Sequence, residues 1–209
     1  MGGASANLTK KSTSLFCIND KNMIHLQKQC MKFSEIELSQ ISQMLICVGK
    51  MPDGERINMI TTVFDKENFG KKPIIVFTHG YAASSALYYQ MYKRLMKHFS
   101  IVTFDHVGMG ASSRPQNYNH ETITPQESID YFVDYVEEWR IQFSRKVMKG
   151  VELKDFYLVG HSFGGYVVGN YALKHHDKIK KLILLSPLGL KLTDVAIDES
   201  GDTISKNPD

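Results

Sequence analysis

The sequence predicts an α/β domain in which a mostly parallel sheet is flanked by helices. Short apolar runs recur from residue 73 onward, stretches with helical periodicity separate them, and one run leads straight into a Gly-x-Ser-x-Gly turn. Strands joined by crossover helices run parallel, and they read as continuous apolar runs because helices cover both faces of the sheet. The four predicted strands are 74–77, 101–104, 156–159 and 182–185.

Length and composition fit one globular domain. The chain has 209 residues, of which 43% are hydrophobic and 22% are charged, and its formal net charge is +3. No long block of one sign is present, so we expect no nucleic-acid partner. The cysteines, Cys17, Cys30 and Cys47, are odd in number and lack Cys-x-x-Cys spacing. This pattern predicts free thiols in a reducing compartment, with no metal and no other cofactor.

The beginning of the chain gives no targeting signal. Residues 1–21 are rich in Ser, Thr, Lys, Asn and Gly, which predicts a flexible tail. No apolar run there has the length of a signal-peptide core, and no run elsewhere approaches a membrane span. We therefore expect a cytoplasmic protein.

Two elements are predicted before the parallel strands. The segment 22–50 is interpreted as a helical appendage, because Ser34 can cap a helix while Glu37 reaches back to it, and apolar residues follow at approximate helical spacing. Alternating apolar residues at 57–63 then predict an early strand at an edge of the sheet.

Two helices are predicted between the parallel strands. The first carries four apolar residues at helical spacing: Leu87, Met91, Leu95 and Phe99. The second begins at Thr124-Pro125-Gln126-Glu127, which combines a capping box with proline at the first helical position, and Lys149-Gly150 ends it. Trp139 lies on the apolar stripe of this second helix, so we predict that it is a core residue and not a ligand platform.

The sequence Gly160-His161-Ser162-Phe163-Gly164 follows a predicted buried strand and opens a largely apolar helix. On such a turn the serine is strained and its hydroxyl points out of the sheet, while the glycines let neighbouring backbone pass. The helix N-terminus favours developing negative charge. We predict that Ser162 is a nucleophile, with Gly160, His161, Gly164 and Gly165 shaping the turn; a purely structural turn is the alternative.

A second loop is predicted to complete an oxyanion hole. A tetrahedral intermediate needs two hydrogen-bond donors, and the serine turn supplies only the Phe163 N–H. His79-Gly80-Tyr81 follows the first parallel strand, and Gly80 lets the loop curl so that the Tyr81 N–H points to the same place. We predict that Tyr81 and Phe163 are the donors and that His79 and Gly80 shape the loop; a simple turn is the alternative.

The segment Asp105-His106-Val107-Gly108-Met109-Gly110 has a weak similarity to a dinucleotide-binding loop. A dinucleotide site needs its glycines to lead straight into a helix, and Ser112-Ser113-Arg114-Pro115 prevents that. We therefore predict that this segment only shapes a loop.

Together these motifs resemble those of α/β-hydrolase-domain proteins four and five, members of the α/β-hydrolase fold superfamily. The resemblance covers about residues 35–190 and rests on Pro73, Thr78-His79-Gly80, Phe104-Asp105, Gly108-Met109-Gly110, Ser112-Ser113-Arg114-Pro115, Gly160–Gly165 and Ser186-Pro187-Leu188-Gly189. It implies an α/β-hydrolase fold acting on lipid esters or on N-acylated and lysophospholipids, at a membrane or lipid-droplet surface.

The resemblance also separates activities within that group. It implies that proteins of the fifth type carry Asn at the position of Ser162 and regulate lipid droplets without hydrolysis, so Ser162 favours the hydrolytic branch. The His-x4-Asp pattern associated with acyltransferases of the group does not occur, since no histidine of the chain has Asp five positions later.

The sequence does not identify a general base or an acid. In this fold the acid and then the histidine follow the serine along the chain. His175 and His176 lie at the far end of the helix that Ser162 precedes, roughly 20 Å away at 1.5 Å per residue. Asp194, Asp198 and Asp202 follow the last predicted strand, where a triad acid is possible, with Asp194 as the candidate, but where a lid more often begins.

The expected organisation is therefore a hydrolase core at 51–190, the start of a lid or an irregular tail at 191–209, and the last strands of the fold missing. Three hypotheses stay open. The chain is part of a serine hydrolase whose base and acid the sequence does not identify, a non-catalytic lipid or lipid-droplet regulatory module of hydrolase ancestry, or an inactive fragment.

Overall fold

The computed structural model describes residues 20–116, 118–119 and 121–189, and the backbone at 196–197 and 203–204. Of the predictions above, residues 1–19 of the tail, Cys17, Asp194, Asp198 and Asp202 lie outside these residues. Asp20 and Lys21 of the predicted tail belong to the first helix. Of the predicted lid or tail, only two short strands are described, Ala196–Ile197 and Thr203–Ile204, which pair antiparallel.

Six strands form one mixed sheet, flanked by helices. The strands are β1 Ile41–Lys50, β2 Arg56–Phe64, β3 Ile74–Thr78, β4 Ser100–Phe104, β5 Phe156–His161 and β6 Ile179–Leu185. The helices are α1 Asp20–Met31, α2 Tyr89–Leu95, α3 Pro125–Lys146 and α4 Phe163–Lys174. Short 3-10 turns lie at Lys32–Ser34, Leu38–Gln40, Ser85–Tyr88 and His176–Lys178.

The sheet has the order β1-β2-β4-β3-β5-β6. The pairs β3–β4, β3–β5 and β5–β6 are parallel, whereas β1–β2 and β2–β4 are antiparallel. All four predicted apolar runs are strands of the parallel part, so the predicted α/β architecture is confirmed. Because parallel strands end at the same edge of a sheet, the loops that follow β3, β4, β5 and β6 meet there.

Side chains on both faces of the sheet form the core. One buried cluster joins the sheet to α3 and α4 through residues such as Trp139, Phe143 and Tyr171. A second joins the sheet to α1 and α2 through Met31 and Tyr92. This two-sided covering is the physical reason that β3, β4 and β5 are buried strands without an acidic or basic residue in their apolar runs.

The predicted helix beginning at Ser34 is wrong. Ser34 lies where a helix ends: its hydroxyl donates to the Met31 carbonyl at 2.5 Å and accepts from the Ile36 N–H at 3.3 Å. Glu35 adopts a left-handed conformation with φ 58°, which stops the helical path. The apolar residues that follow form β1, in which Ile46 and Val48 alternate into the core.

The interpretation of 22–50 as a helical appendage is therefore corrected: α1 is helical, but β1 is part of the sheet. The strand at 57–63 is confirmed as part of β2, yet it is not an edge strand, since β1 pairs with it on the outside. A local amphipathic pattern could not reveal this pairing, because short apolar runs suit a helix or a strand equally.

The helix predicted from Leu87 exists in part. A 3-10 turn at Ser85–Tyr88 precedes α2, and the predicted inward residues Leu87 and Met91 are exposed. The residue that α2 buries is Tyr92, whose ring lies 4.4 Å from that of Phe64 and whose hydroxyl donates to the Ser85 carbonyl at 2.5 Å. The predicted apolar face is thus wrong for Leu87 and Met91, because the Tyr92 anchor determines which side is buried, whereas the predicted Leu95 and Phe99 are partly buried and pack against the same core cluster as Tyr92.

The long helix α3 begins as predicted. Thr124 accepts from the Glu127 N–H at 3.3 Å, and Glu127 accepts from the Thr124 N–H at 2.8 Å, which completes the capping box. The helix ends at Lys146, before the predicted stop at Lys149-Gly150. Trp139 is confirmed as a core residue: it is buried, and its indole N–H donates to Thr61 Oγ1 at 2.9 Å.

Candidate active site

Ser162 lies on a strained turn between β5 and α4. Its backbone has φ 54° and ψ −119°, a conformation that residues with a β-carbon rarely adopt. The turn is held from the end of β6, because the Ser162 N–H donates to the Leu185 carbonyl at 3.0 Å and the Leu188 N–H donates to the Ser162 carbonyl at 3.1 Å. The strain is therefore stabilised by the neighbouring strand and its loop.

The glycines around Ser162 stand where other elements pass closely. A β-carbon on Gly160 would lie 2.6 Å from the Gly164 carbonyl oxygen, and one on Gly165 would lie 2.8 Å from Pro187 Cβ. One on Gly164 would lie 2.7 Å from Thr78 Oγ1. The structure thus brings all three predicted turn-shaping glycines to the point where β5, α4 and the end of β3 converge.

His161, next to Ser162, forms a contact with the loop region after β3. Its Nδ1 is 2.8 Å from the Tyr88 hydroxyl, and the two rings meet edge to face with centroids 5.7 Å apart. This contact ties the turn to the 3-10 segment that follows the loop after β3.

The loop after β3 lies against the serine turn. A β-carbon on Gly80 would stand 3.1 Å from Ser162 Cβ, and the Tyr81 ring lies 6.3 Å from the Phe163 ring. Within the described part of the chain, no group accepts a hydrogen bond from the backbone N–H of Tyr81 or of Phe163. Their role as oxyanion donors stays a prediction, and this geometry is compatible with it.

His79 has both ring nitrogens engaged. Nδ1 donates to the Gly80 carbonyl at 2.7 Å, and Nε2 accepts from the His106 N–H at 3.0 Å. Burial lowers the pKa of His79, and Asp105, 3.8 Å away, acts in the opposite direction. A neutral His79 that joins the loops after β3 and β4 has no nitrogen left for Ser162.

Asp105 organises the loops around the site, whereas the sequence assigned it only to a loop-shaping segment and predicted none of its contacts. Its Oδ1 accepts from the Ser85 N–H at 2.7 Å, and its Oδ2 accepts from the Ala111 N–H at 2.9 Å. Oδ2 also accepts from the side chain of Gln27, a buried residue of α1. An aspartate directly after a buried strand was the available signal; Gln27 had none, because α1 was assigned to an appendage.

The Gly108–Gly110 segment shapes a loop. The helix that follows it, α3, begins only at Pro125, so no helix N-terminus faces these glycines as a dinucleotide site would require. Gly110 has φ 52° and packs against the Asp105 carboxylate, where any side chain would collide with it. The loop therefore closes around Asp105.

His106 is a buried histidine that the sequence did not identify as notable. Its ring is surrounded by those of Phe104, Phe163 and His79, with centroids 5.3, 5.9 and 5.1 Å away. Burial lowers the pKa of His106 well below its ordinary value, and His79 lowers it further. Its Nε2 is buried and has no hydrogen-bond partner among the described residues.

A cavity of about 790 Å³ opens beside the loop after β3. Its walls come from α1, the loop after β3 and the Gly108–Gly110 loop, and its residues are mainly apolar: Met23, Cys30, Tyr81, Ala82, Ala83, Ser84, Ala86, Leu87, Tyr89, Gly108, Met109, Gly110 and Arg114. Arg114 supplies a cation, and one of its Nη atoms donates to the Gly110 carbonyl at 2.9 Å. The volume falls in the range of small-molecule pockets, about 300–1,000 Å³.

No described residue serves as a base for Ser162. Its hydroxyl forms no hydrogen bond within the described part of the chain. His175 follows the last residue of α4, so it lies across the whole 12-residue helix from Ser162, about 18 Å at 1.5 Å per residue. His175 instead stacks on Tyr171 with ring centroids 4.7 Å apart.

Comparison with known proteins identifies similar chains. Residues 73–208 match the family model described as alpha/beta hydrolase fold. A 1-acylglycerol-3-phosphate O-acyltransferase of Arabidopsis thaliana is 34% identical over 155 residues, covering 69% of this chain and 34% of that protein. A (lyso)-N-acylphosphatidylethanolamine lipase of Bos taurus is 30% identical over 135 residues, covering 65% of this chain and 36% of that protein.

Solved structures give the same fold. A bacterial membrane phospholipase A superposes with a TM-score of 0.57 at 16% identity, covering 85% of this chain and 48% of that one. A haloalkane dehalogenase of Agrobacterium tumefaciens superposes with a TM-score of 0.51 at 22% identity, covering 70% and 41%. The chain thus spans about a third of the length of these two curated relatives and less than half of these two solved chains.

Proposed function

Since this chain belongs to the alpha/beta hydrolase fold family, we propose that it is a serine hydrolase that cleaves carboxylic esters or amides of lipids through an acyl-enzyme on Ser162. One observation carries the proposal: Ser162 has φ 54° between β5 and α4, directly beside the loop that contains Gly80. Strained residues of this kind persist where the surrounding structure fixes them, and they concentrate at functional sites.

The chemistry follows from the groups around Ser162. The Ser162 hydroxyl oxygen attacks the carbonyl carbon of the substrate while a base takes its proton, and the carbonyl oxygen becomes an oxyanion. The N–H groups of Tyr81 and Phe163 stabilise that oxyanion. The C–O or C–N bond then breaks, the leaving group takes the proton, and the acyl group stays on Ser162 until water releases it as a carboxylic acid.

The general base and its acid are proposed to come from residues outside the described part of the chain. Both nitrogens of His79 are engaged, His106 is buried among aromatic rings, and His175 lies at the opposite end of α4. The order of a triad in this fold, with acid and histidine after the serine, supports the same origin. Asp194 belongs to that later part of the sequence.

Lipid substrates are supported by the cavity and by the relatives. An apolar cavity of about 790 Å³ beside the Gly80 loop suits an acyl chain more than a polar metabolite. The bovine relative is named a lipase, and the plant relative an acyltransferase. Lysophospholipids or N-acylated phospholipids are therefore the proposed substrates, met by a cytoplasmic protein at a membrane or lipid-droplet surface. None of the described helices is long and apolar enough to cross a bilayer.

Transfer of the acyl group to an alcohol is a second candidate, favoured by the name of the plant relative. An acyl-enzyme on Ser162 could release its acyl group to water or to a lysolipid hydroxyl, so the two activities differ only in the acceptor. Product analysis with a labelled acyl donor distinguishes them, since hydrolysis yields a free acid and transfer yields a diacyl lipid.

Labelling with a fluorophosphonate probe tests the nucleophile. We expect covalent labelling of the chain that is abolished in Ser162→Ala and retained in Ser186→Ala, a control on an exposed serine that also has positive φ and lies at the same edge of the sheet. Absence of labelling in the protein that includes the base, or equal labelling of Ser162→Ala, would contradict the proposal. In that case a non-catalytic lipid-binding module is the better hypothesis.

A further inference from the structure

The helix α1 and the 3-10 turn after it carry two distinct faces. The inward face holds Gln27, Met31 and Ser34, all buried. A second face, at the spacing i, i+3, i+7 and i+10, consists of Met23, Leu26, Cys30 and Phe33. Leu26 is 54% exposed and Phe33 is 74% exposed, although both are large apolar residues. The described part of the chain leaves this second face open.

The open face continues onto the loops around the cavity. Met23 and Cys30 line the cavity together with Tyr81 and Leu87, which are 75% and 61% exposed. The ring of Phe33 lies 6.4 Å from that of Tyr89, another cavity residue. We call the four exposed residues Leu26, Phe33, Tyr81 and Leu87 the apolar rim. Tyr81 and Leu87 of the rim line the proposed acyl-binding cavity, and Phe33 contacts the cavity residue Tyr89, so the rim adjoins the cavity, whereas an isolated exposed apolar residue would carry no such meaning.

Positive charge accompanies the rim. Neither 22–34 nor 81–99 contains an acidic residue, and together they carry five cations: Lys28, Lys32, Lys93, Arg94 and Lys97. Lys93 pairs with Glu35 at 2.6 Å and so joins α2 to the turn after α1. The other four cations are exposed and form no ion pair with any described residue. A charge of one sign beside an apolar stripe is the arrangement of a helix that lies in a membrane interface.

We propose that the apolar rim and these cations dock the protein on an anionic phospholipid surface, with the cavity entrance facing the lipid. The four apolar side chains enter the boundary between headgroups and acyl chains, while Lys28, Lys32, Arg94 and Lys97 contact lipid phosphates. A lipid acyl chain then reaches the cavity without crossing water. The use of this orientation, which is to admit an acyl chain to the cavity, rests on the proposed function. The docking itself needs no catalysis.

Vesicle flotation of the full 209-residue chain tests the docking. The chain is expected to float with vesicles of phosphatidylcholine mixed with phosphatidylserine, to bind pure phosphatidylcholine vesicles more weakly, and to dissociate as salt is raised. The double variant Lys28→Gln/Lys32→Gln should partition about thirtyfold less, because each cation near an anionic surface contributes about 1 kcal/mol. Leu26→Ser/Leu87→Ser should also lower partitioning by about tenfold or more, through lost apolar contact.

Matched controls use the same residue types elsewhere on the surface. Lys66→Gln/Lys154→Gln removes two exposed cations, and Val151→Ser/Leu173→Ser removes two exposed apolar residues. Both controls should bind vesicles as the unchanged chain does, and circular dichroism should show all four variants folded. Equal binding to both vesicle types, no binding to either, or equal losses in controls and rim variants would each overturn the proposal.

A second copy of the chain is the alternative occupant of the rim. In that case light scattering would show a dimer that the variant Leu26→Ser/Leu87→Ser dissociates, and the chain would bind no vesicles. That result also overturns lipid docking. Fluorophosphonate labelling of Ser162 in solution is a separate readout, so failure of docking and failure of the proposed hydrolase activity are distinguishable.

Discussion

Gly80 lies directly against Ser162: a β-carbon at position 80 would stand 3.1 Å from the Ser162 β-carbon and 3.3 Å from His161 Nδ1. Contacts this short require a neighbour to move. A side chain at residue 80 would therefore force the loop after β3 or the serine turn to shift by a few tenths of an ångström.

The variant Gly80→Ala is expected to slow probe labelling of Ser162 by about ten- to hundredfold, because displacing a loop by a fraction of an ångström misplaces an oxyanion donor. Its effect on the free energy of unfolding should stay within about 1–2 kcal/mol, since the two contacts that tighten are both longer than 3.0 Å. Labelling kinetics and urea denaturation measure the two effects. Gly49→Ala is the control, because a β-carbon there would meet only Ile57 at an ordinary 3.7 Å. Unchanged labelling of Gly80→Ala would show that the loop does not position a donor.

Two glycines of α4 should respond in opposite ways to alanine. A β-carbon on Gly164 would collide with the His79 carbonyl and with Thr78 Oγ1, both at the end of β3, whereas one on Gly169 would meet open space. Gly164→Ala should lower the free energy of unfolding by about 2–3 kcal/mol through overpacking. Gly169→Ala should raise it by about 0.5–1 kcal/mol through better helix propensity. Urea denaturation of both variants checks the pair, and equal effects would refute the close packing inferred at Gly164.

The hydrogen bond from Gln27 to Asp105 predicts that α1 stabilises the loops around Ser162. Gln27→Leu removes a buried donor from the Asp105 carboxylate, so we expect a loss of about 1.5–3 kcal/mol in the free energy of unfolding. We also expect faster hydrogen exchange of the Ser85 amide, which donates to the same carboxylate. Gln29→Leu, on the exposed His25 side of α1, should change stability by less than about 0.5 kcal/mol. If the Ser85 amide of Gln27→Leu exchanged no faster than that of the unchanged chain, a role for α1 in ordering this loop would be contradicted.

Acid should destabilise the protein through His79 and His106. Burial lowers the pKa of both in the folded state, so between that lowered pKa and the ordinary value of about 6.5 the unfolded chain binds more protons. The free energy of unfolding should therefore fall as pH decreases from about 7.5 to about 5, with a limiting slope of about 1.4 kcal/mol per pH unit for each histidine that stays neutral. Urea denaturation across this range measures the slope.

The variant His106→Leu isolates one of these contributions. Leucine fits the surrounding aromatic rings, removes a buried Nε2 that has no described partner, and cannot be protonated. We expect near-neutral stability at pH of about 7.5 and a shallower decline toward pH of about 5 than in the unchanged chain. His98→Leu, an exposed control, should leave the slope as it is. An identical slope in the His106 variant would mean that this histidine is protonated in the folded protein.

The sequence predicted those parts of the fold whose signals are local and strong. Four uniformly apolar runs became the parallel strands, and the capping box at Thr124 began α3, because strand burial and helix initiation are each encoded within a few residues. It failed at residues 34–50, where the same apolar residues suit a helix or a strand and only pairing with β2 decides between them.

The candidate site divides in the same way. The Gly-x-Ser-x-Gly pattern after a buried run was enough to single out Ser162, and the strained turn found there agrees with that prediction, although its catalytic role stays a proposal. The roles of Asp105, Gln27 and His106 were missed, because they come from contacts across 20 to 78 residues of sequence that no periodicity records. The sequence by itself determined the strand-to-helix turn that presents Ser162. Only the tertiary structure decided that α1 joins the loops around Ser162. The buried Asp105 carboxylate needs hydrogen-bond donors, and one of them, Gln27, lies 78 residues away in the sequence and comes close only in the folded chain.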